Sequence, residues 1–300
     1  MKHIFIINPS SGKDKKKETL YEKIKEYKDK LDCEIYDTQG PGDATRFVKE
    51  YCKNNAEEVT FYACGGDGTI NEVVNGLADA KNARLAIYPC GSGNDYVKAF
   101  GGQDRFLNFD NLVNGTPTKV DVMKVNDKYS INVTNFGFDA KVCDVANRVR
   151  RKKIIGGKNN YKTGIFVALM TGRRTKCDIS IDGEPIGIKT ILLSTVANGK
   201  YVGGAYCCAP RSVYDDGLLE VTVVKPISIF KFMSLMKPYQ VGKHLDDPKF
   251  EKCLIYKRAK KVTIDSKKPM MLFLDGELIT DTHFEIENFK QKVTLILPKE

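Results

Sequence analysis

The sequence predicts an α/β N-terminal domain with a parallel sheet and glycine-rich nucleotide loops over residues 1–120. A mainly antiparallel, sandwich-like β domain follows over residues 121–300, with a cleft between the two. Three observations carry this. Strand-like and helix-like stretches alternate as far as the Cys90–Asp95 turn, the pattern that builds a parallel sheet with helices on its faces. From Lys119 onward the texture changes to runs with period-2 alternation, broken by Asn-Asp and Asp-Gly turns, as antiparallel hairpins require. Finally, 300 residues are long for one hydrophobic core and comfortable for two.

In order, residues 3–8 (HIFIIN) read as a buried strand that ends in the polar turn Asn8-Pro9-Ser10-Ser11-Gly12-Lys13. Residues 14–31 place Leu20, Ile24, Tyr27 and Leu31 on one helical face. Cys33 to Thr38 is a short strand, and a second helix spans about 43 to 55, with Asp43 a candidate N-cap. Val59 to Cys64 is β-branched and aromatic, and Ile70, Val73, Val74 and Leu77 then recur at helical spacing. Arg84 to Tyr88 is another buried strand leading into Cys90-Gly91-Ser92-Gly93-Asn94-Asp95.

The junction at residues 64–70 is where chemistry is expected. Gly65, Gly66 and Gly68 let a ligand approach the backbone with no Cβ in the way, and a helix opening at Thr69 or Ile70 points unpaired N–H groups into the same space. That suits phosphate. Asp67 is the odd member, because a carboxylate among phosphate-binding amides repels the ligand unless a divalent metal or a reacting proton lies between them. A nucleotide with magnesium satisfies both. The loop is no Walker motif, since no Gly-Lys-Ser/Thr ends it, and its glycine spacing is not the dinucleotide fingerprint.

In the second half, VDVMKV and YSINVTNF flank Asn126-Asp127 as a hairpin, and DISIDGEPIG repeats the form around Asp182-Gly183. Strand-like runs continue through ILLSTVAN, LLEVTVV, KKVTIDS, MMLFLDGELI, HFEIEN and KVTLILP. One long helical exception spans about 139 to 174.

Hydrophobic content of 42% with 29% charged residues marks a soluble globular chain, with no apolar segment near the ~20 residues a membrane span needs. The first apolar run is too short for a signal-peptide core, so a cytoplasmic location is expected. Nine cysteines at irregular positions without a CxxC pair, and only three histidines, speak against a zinc site and for reduced thiols. The net charge of +10 is concentrated: Arg148 to Lys176 holds ten basic residues and no acidic one. No aromatic-interleaved RNA motif or zinc finger points to nucleic acid.

GGDGTINEVVNGL, followed by PCGSGNDYVKAFG from Pro89 to Gly101, resembles the paired nucleotide motifs of the diacylglycerol kinase catalytic family, which includes bacterial lipid kinases and sphingosine kinases. The pair in this order is far more specific than GGDGT alone, which NAD kinases and phosphofructokinases also carry. The chain departs from the usual family pattern at Cys90, Ser92 and Lys98, where leucine, threonine and often arginine stand, and Ser92 keeps the hydroxyl. The resemblance implies an ATP- and Mg2+-dependent lipid kinase. It assigns nucleotide binding to Asn8, Ser11, Lys13, Thr38, Gly65, Gly66, Gly68, Thr69, Gly91, Ser92 and Asn94, and catalysis to Asp67 and Glu277. Asp95 and Asp121 are implied in a magnesium network, and Asp216 in a structural metal loop that reads equally well as a plain turn.

Several of these assignments have plainer readings. The Asn8–Lys13 turn can simply cap a helix, with Lys13 heading a solvated KDKKK run. Asp275-Gly276 is the commonest kind of two-residue hairpin turn, and Asp182-Gly183-Glu184 repeats the tripeptide. The long apolar run before Asp275 and its place near the C-terminus select Glu277 over Glu184. The expected partners are a membrane lipid substrate and an anionic membrane surface met by the basic stretch, with peripheral association at the inner face of the membrane. A homodimer is left open. The alternatives are a kinase for a soluble acceptor, resembling NAD kinase, and a non-catalytic protein that binds anionic lipid. The first does not explain GSGND or the ten-charge stretch, and the second does not explain intact Asp67, Asp95 and Glu277.

Overall fold

The computed structural model describes residues 1–12, 14–138, 140, 174–275 and 277–300. Lys13, the expected helix over 139–174 and most of the basic stretch lie outside the described residues. No described helix is long and apolar enough to cross a membrane.

The N-terminal half builds the expected parallel sheet. Strands β1 (Lys2–Ile7), β2 (Cys33–Asp37), β3 (Val59–Gly65) and β4 (Ala83–Pro89) lie in the order β2-β1-β3-β4, all parallel. Every residue of β3 is buried, because helices cover both faces of such a sheet and leave no side for polar alternation. Helices α1 (Asp14–Tyr27), α2 (Asp43–Asn54) and α3 (Asp67–Leu77) supply the crossovers. Ile70, Val73, Val74 and Leu77 of α3 are all buried, as their spacing predicted.

Three element ends differ from expectation. Helix α1 stops at Tyr27, so Leu31 lies in the turn beyond it. The N-cap of α2 is Gly42, at φ 81°, and Asp43 is its first helical residue. There Asp43 accepts the Gln39 N–H at 2.9 Å and the Tyr36 hydroxyl at 2.9 Å, a tertiary use that competes with capping. Helix α3 opens at Asp67 rather than at Thr69 or Ile70, since Gly66 is extended and accepts the Thr69 and Ile70 N–H groups.

In the second half, β5 (Thr116–Val125) and β6 (Lys128–Ser130) form the Asn126-Asp127 hairpin, and β7 (Val133–Gly137) joins an antiparallel sheet with the strands Leu193–Ala197, Leu219–Val224 and Lys261–Leu274. Val196, Leu219, Val221, Val262, Ile264, Leu272, Phe284 and Ile286 fill its core. The runs read as separate strands from Glu277 onward are one strand, Glu277–Leu297. It pairs with Lys261–Leu274, then with β5, and near its end lies parallel to β4 through Leu295 and Leu85. The last strand therefore joins both halves, and Val293, Leu295 and Ile296 are buried in the first core.

An irregularity in that strand explains Asp121. Between Phe289 and Val293 the pairing with β5 shifts, leaving Gln291 at φ 52° opposite Asp121. The carboxylate of Asp121 is completely buried and fills the gap, accepting the Gln291 N–H at 2.7 Å, the Gly217 N–H at 2.6 Å and the Asn288 amide at 3.0 Å.

Candidate active site

The carboxyl ends of β1 to β4 gather the residues singled out in the first half. Asn8 follows β1, where its N–H reaches Cys64 O and its side-chain amide donates to Thr69 Oγ1 at 3.2 Å. Thr38 follows β2, with its N–H on Ile7 O at 2.9 Å. Ser11 Oγ lies 3.8 Å from the position a Cβ on Gly66 would take. The two glycine loops themselves touch, because the N–H groups of Cys90 and Gly91 both donate to Gly65 O, at 2.9 and 3.1 Å.

Two glycines hold this arrangement by what they lack. A Cβ on Gly12, at φ +69°, would sit 1.7 Å from Cys90 O, and one on Gly91 would sit 2.4 Å from Gly66 Cα. In both cases backbone faces backbone, so no side chain can yield. Gly91→Ala is expected to part the loops and cost about 1–3 kcal/mol, the usual penalty for overpacking, read from a denaturant midpoint. An unchanged midpoint would mean that the contact is soft.

Asp67 stands at the centre. As the first residue of α3 it meets the favourable end of the helix dipole, beside the Gly66 carbonyl that takes the Thr69 and Ile70 N–H groups. Its Oδ1 accepts the Asp95 and Tyr96 N–H groups at 2.7 and 3.2 Å, which ties the first glycine loop to the second. Its Oδ2 faces Gly93, and a Cβ on that glycine would meet Asp67 Oδ2 at 2.9 Å and Asp95 Oδ2 at 3.8 Å. Two carboxylates thus share one wall. Burial first, and then the Asp95 charge, push the Asp67 carboxyl up to about 6. Asp95 accepts Lys98 Nζ at 2.5 Å and the Gly204 N–H at 3.0 Å.

The second half contributes through the turn between the last two strands. Leu274 pairs with Glu277, so the chain turns here as in the plainer reading, with Asp275 at φ 41°. It also ties the two halves together. Asp275 is buried and accepts Asn71 Nδ2 from α3 at 3.2 Å, Ser130 Oγ at 2.6 Å, and the Ile131 and Val133 N–H groups at 3.0 Å each. Burial pushes its carboxyl up and these donors oppose the rise. Glu277, two residues on, is partly exposed and pairs with Lys128 Nζ at 3.1 Å. Glu184, in the matching tripeptide, lies in an exposed hairpin paired only to its own neighbouring strand.

Sequence reasoning missed the clamp that sets the two halves against each other. Asn71 and Asn75, one turn apart on α3, both donate to Tyr129 O, at 3.0 and 2.8 Å, and Asn75 Oδ1 accepts the Tyr129 N–H at 2.9 Å. The available signal was a pair of amides at i, i+4 on an otherwise apolar helix. Its partner, a strand more than fifty residues away, had none.

Other assignments change meaning. Asn94 is buried at φ 49°, with its amide on Gly91 O at 2.7 Å and Gln103 Oε1 at 2.9 Å, so it shapes the second loop from within. Ser92 is exposed at the loop surface, and Gly68 has open space on its side-chain face. Asp121 and Asp216, expected in metal roles, are both held by donors from the protein. Both oxygens of Asp121 already accept N–H groups in the strand irregularity, and Asp216 caps the Leu218 N–H while its other oxygen pairs with Arg258. No cluster of three or more metal-capable side chains forms among the described residues.

Magnesium commonly uses only one or two protein carboxylates, taking its remaining ligands from phosphate and water. Asp67 with Asp95 meets that requirement, and the mutual repulsion that raises Asp67 is what a cation between them would relieve.

The model of the diacylglycerol kinase catalytic domain matches residues 2–125, and that of the YegS C-terminal NAD kinase beta sandwich-like domain matches residues 132–297. The chain is 31% identical to a diacylglycerol kinase of Bacillus subtilis (strain 168), over 98% of this chain and 96% of that protein. It is 30% identical to a diacylglycerol kinase of Staphylococcus carnosus (strain TM300), over 98% and 94% respectively. A crystal structure from Bacillus anthracis str. Sterne, of a protein proposed to be a diacylglycerol kinase, superposes with a TM-score of 0.75 at 26% identity, covering 99% of this chain and 96% of that one.

Proposed function

Because this chain belongs to the diacylglycerol kinase family, we propose that it transfers the γ-phosphoryl group of ATP to the hydroxyl of a membrane lipid, with diacylglycerol as acceptor and phosphatidic acid as product. The observation that carries the reading is the meeting of the two glycine loops, with Asp67 and Asp95 on one wall at the mouth of α3. Phosphoryl transfer asks a protein mainly for positioning and charge neutralisation. The first-turn amides of α3 and the loop from Gly91 to Asn94 offer the first, with Asn8, Ser11 and Thr38 along the same edge. Asp67 and Asp95 would hold a magnesium ion, whose charge neutralises the transferring phosphate when it is bound.

Glu277 is assigned the acceptor side. Its hairpin turn is anchored by Asp275 to Asn71 of α3, so the glutamate approaches the glycine loop from the other half of the molecule. Its partner Lys128 keeps it oriented at the rim, where it can receive the proton of the attacking hydroxyl. Glu277→Gln is expected to lower kcat roughly tenfold with little change in the Kd for ATP, since a loose transition state needs only modest help from a base. Glu184→Gln should leave both unchanged, and equal effects from the two would withdraw the assignment.

Transfer of label from γ-labelled ATP to a panel of acceptors in mixed micelles tests the function. Diacylglycerol, phosphatidylglycerol, a long-chain base and NAD cover the lipid and soluble alternatives. Labelled phosphatidic acid as the main product is expected, and labelling of NAD alone would overturn the reading.

A further inference from the structure

The helix Ile229–Gln240 has two faces that a water-soluble surface does not account for. Phe232 packs against Phe138, Leu192 and Val224, and Leu235 packs against Phe250 and Cys253, which fixes the inward side. The outward side carries Phe230 at 89% exposure, Met233 at 58% and, just past the helix end, Val241 at 55%. Positions 230, 233, 237 and 241 fall on one helical stripe, whose only charged member is Lys237. The helix also bears Lys231 and no carboxylate, and exposed Lys243 follows it.

Scattered single apolar residues are ordinary on protein surfaces, but a phenylalanine and a methionine side by side on one ridge, bordered by lysines, are not scattered. The combination is that of an interfacial helix: apolar side chains to enter the headgroup boundary and cations to pair with lipid phosphates. A second copy of this chain fits less well. Three side chains fall far short of the ~800 Å² per partner of a stable interface, and a two-fold pairing of this face would bring lysine against lysine.

The helix also lies close to the site. Tyr239 packs at 6.3 Å from Tyr206, in the hairpin formed by Tyr201–Val202 and Tyr206–Cys207. The tip of that hairpin is Gly204, whose N–H is held by Asp95 and whose carbonyl accepts Lys98 Nζ at 2.8 Å. A single hairpin therefore separates the exposed ridge from the carboxylate wall.

We propose that the helix Ile229–Gln240 docks on an anionic lipid bilayer, with Phe230 and Met233 entering the headgroup region and Lys231, Lys237 and Lys243 meeting lipid phosphates. The proposal rests on the reading of a membrane-lipid acceptor and names the surface that would present the cleft to it.

Sedimentation of the full chain with vesicles of phosphatidylcholine and phosphatidylglycerol, without nucleotide, tests it. Phe230→Ser with Met233→Ser is expected to weaken binding roughly tenfold or more, and Lys231→Gln with Lys237→Gln to weaken it several-fold and flatten its salt dependence. Val213→Ser, an exposed apolar site elsewhere, should change nothing. All these positions are at least partly solvent-exposed, and a circular dichroism melt confirms that the variants fold. Vesicle binding by the Phe230/Met233 variant equal to wild type overturns the proposal, as does a wild type that does not sediment. A wild-type dimer in analytical ultracentrifugation that the same variant converts to monomer also overturns it, in favour of a second copy. Micellar kinase activity separates the two readings: lipid phosphorylation with unaltered vesicle binding defeats only the docking surface, and variant-sensitive vesicle binding without lipid phosphorylation defeats only the substrate assignment.

Discussion

Asp67→Asn is expected to lower kcat by about 100-fold or more while the protein remains folded and, above about pH 6, becomes more stable. The asparagine carbonyl can still accept the Asp95 and Tyr96 N–H groups that tie the loops together, so the geometry survives and the negative charge does not. The stability gain follows from linkage. Burial and the Asp95 charge raise the Asp67 carboxyl to about 6 in the folded state, against an ordinary value of 3.8. The folded protein therefore holds this proton more tightly than the unfolded chain. The associated stability is fully present below about pH 3.8 and is lost as pH rises through about 6. Removing the carboxylate should return about 1–2 kcal/mol at pH 8, less than the full shift implies because Asp67 keeps an opening to the cleft. Wild-type activity at low magnesium should correspondingly fall as pH drops through about 6. Denaturant titrations at pH 5 and 8, with kinase assays on the same preparations, check both halves. A variant that keeps more than about a tenth of wild-type kcat, or that is less stable than wild type at pH 8, contradicts the account.

Asp275→Ala should cost about 3–5 kcal/mol, enough to leave a protein of ordinary stability near its unfolding threshold. Five donors converge on this carboxylate: Asn71 Nδ2, Ser130 Oγ and the N–H groups of Ile131, Asn132 and Val133. Alanine strands four of them in a buried site, Asn71 keeping Tyr129 O as its acceptor, and places a residue ill-suited to φ 41° at the turn. Asp275→Asn separates the two costs, because asparagine tolerates the left-handed conformation and keeps one acceptor oxygen. Its amide group must then face either the Val133 N–H or the donors on the other oxygen, so it should recover roughly half of the loss. Urea denaturation of the three proteins measures this, and an alanine variant within about 1 kcal/mol of wild type would show that water replaces the carboxylate.

The N-terminal sheet was legible because its signals are local. HIFII, VTFYAC and the spacing of Ile70, Val73, Val74 and Leu77 each describe one element by itself, and each lies where it was expected. The contact between the glycine loops follows from the same sheet, since two adjacent parallel strands must end side by side. The turn at Asp275 was read as either a hairpin or a site, and its aspartate both closes a hairpin and serves as a buried acceptor between the two halves. A left-handed turn residue and a buried acceptor are compatible demands on one aspartate. The metal roles of Asp121 and Asp216 were implied by the resemblance alone, and the partners that occupy them, Gln291, Gly217 and Arg258, are set by strand pairing that no local pattern records.

By itself, then, the sequence determined the order of the elements, the parallel first half and antiparallel second, the place of the glycine-rich loops, and the family whose motifs it carries. Those follow from periodicity, turn chemistry and the steric freedom of glycine, which act over a few residues. Only the tertiary structure decided that one final strand serves both cores, that Asn71 and Asn75 lock Tyr129 between the halves, and which donors each buried carboxylate receives. Those depend on hydrogen bonds between residues tens to hundreds of positions apart. A buried carboxylate must be satisfied by whatever donors the fold delivers, and that delivery is written in no single stretch of the chain.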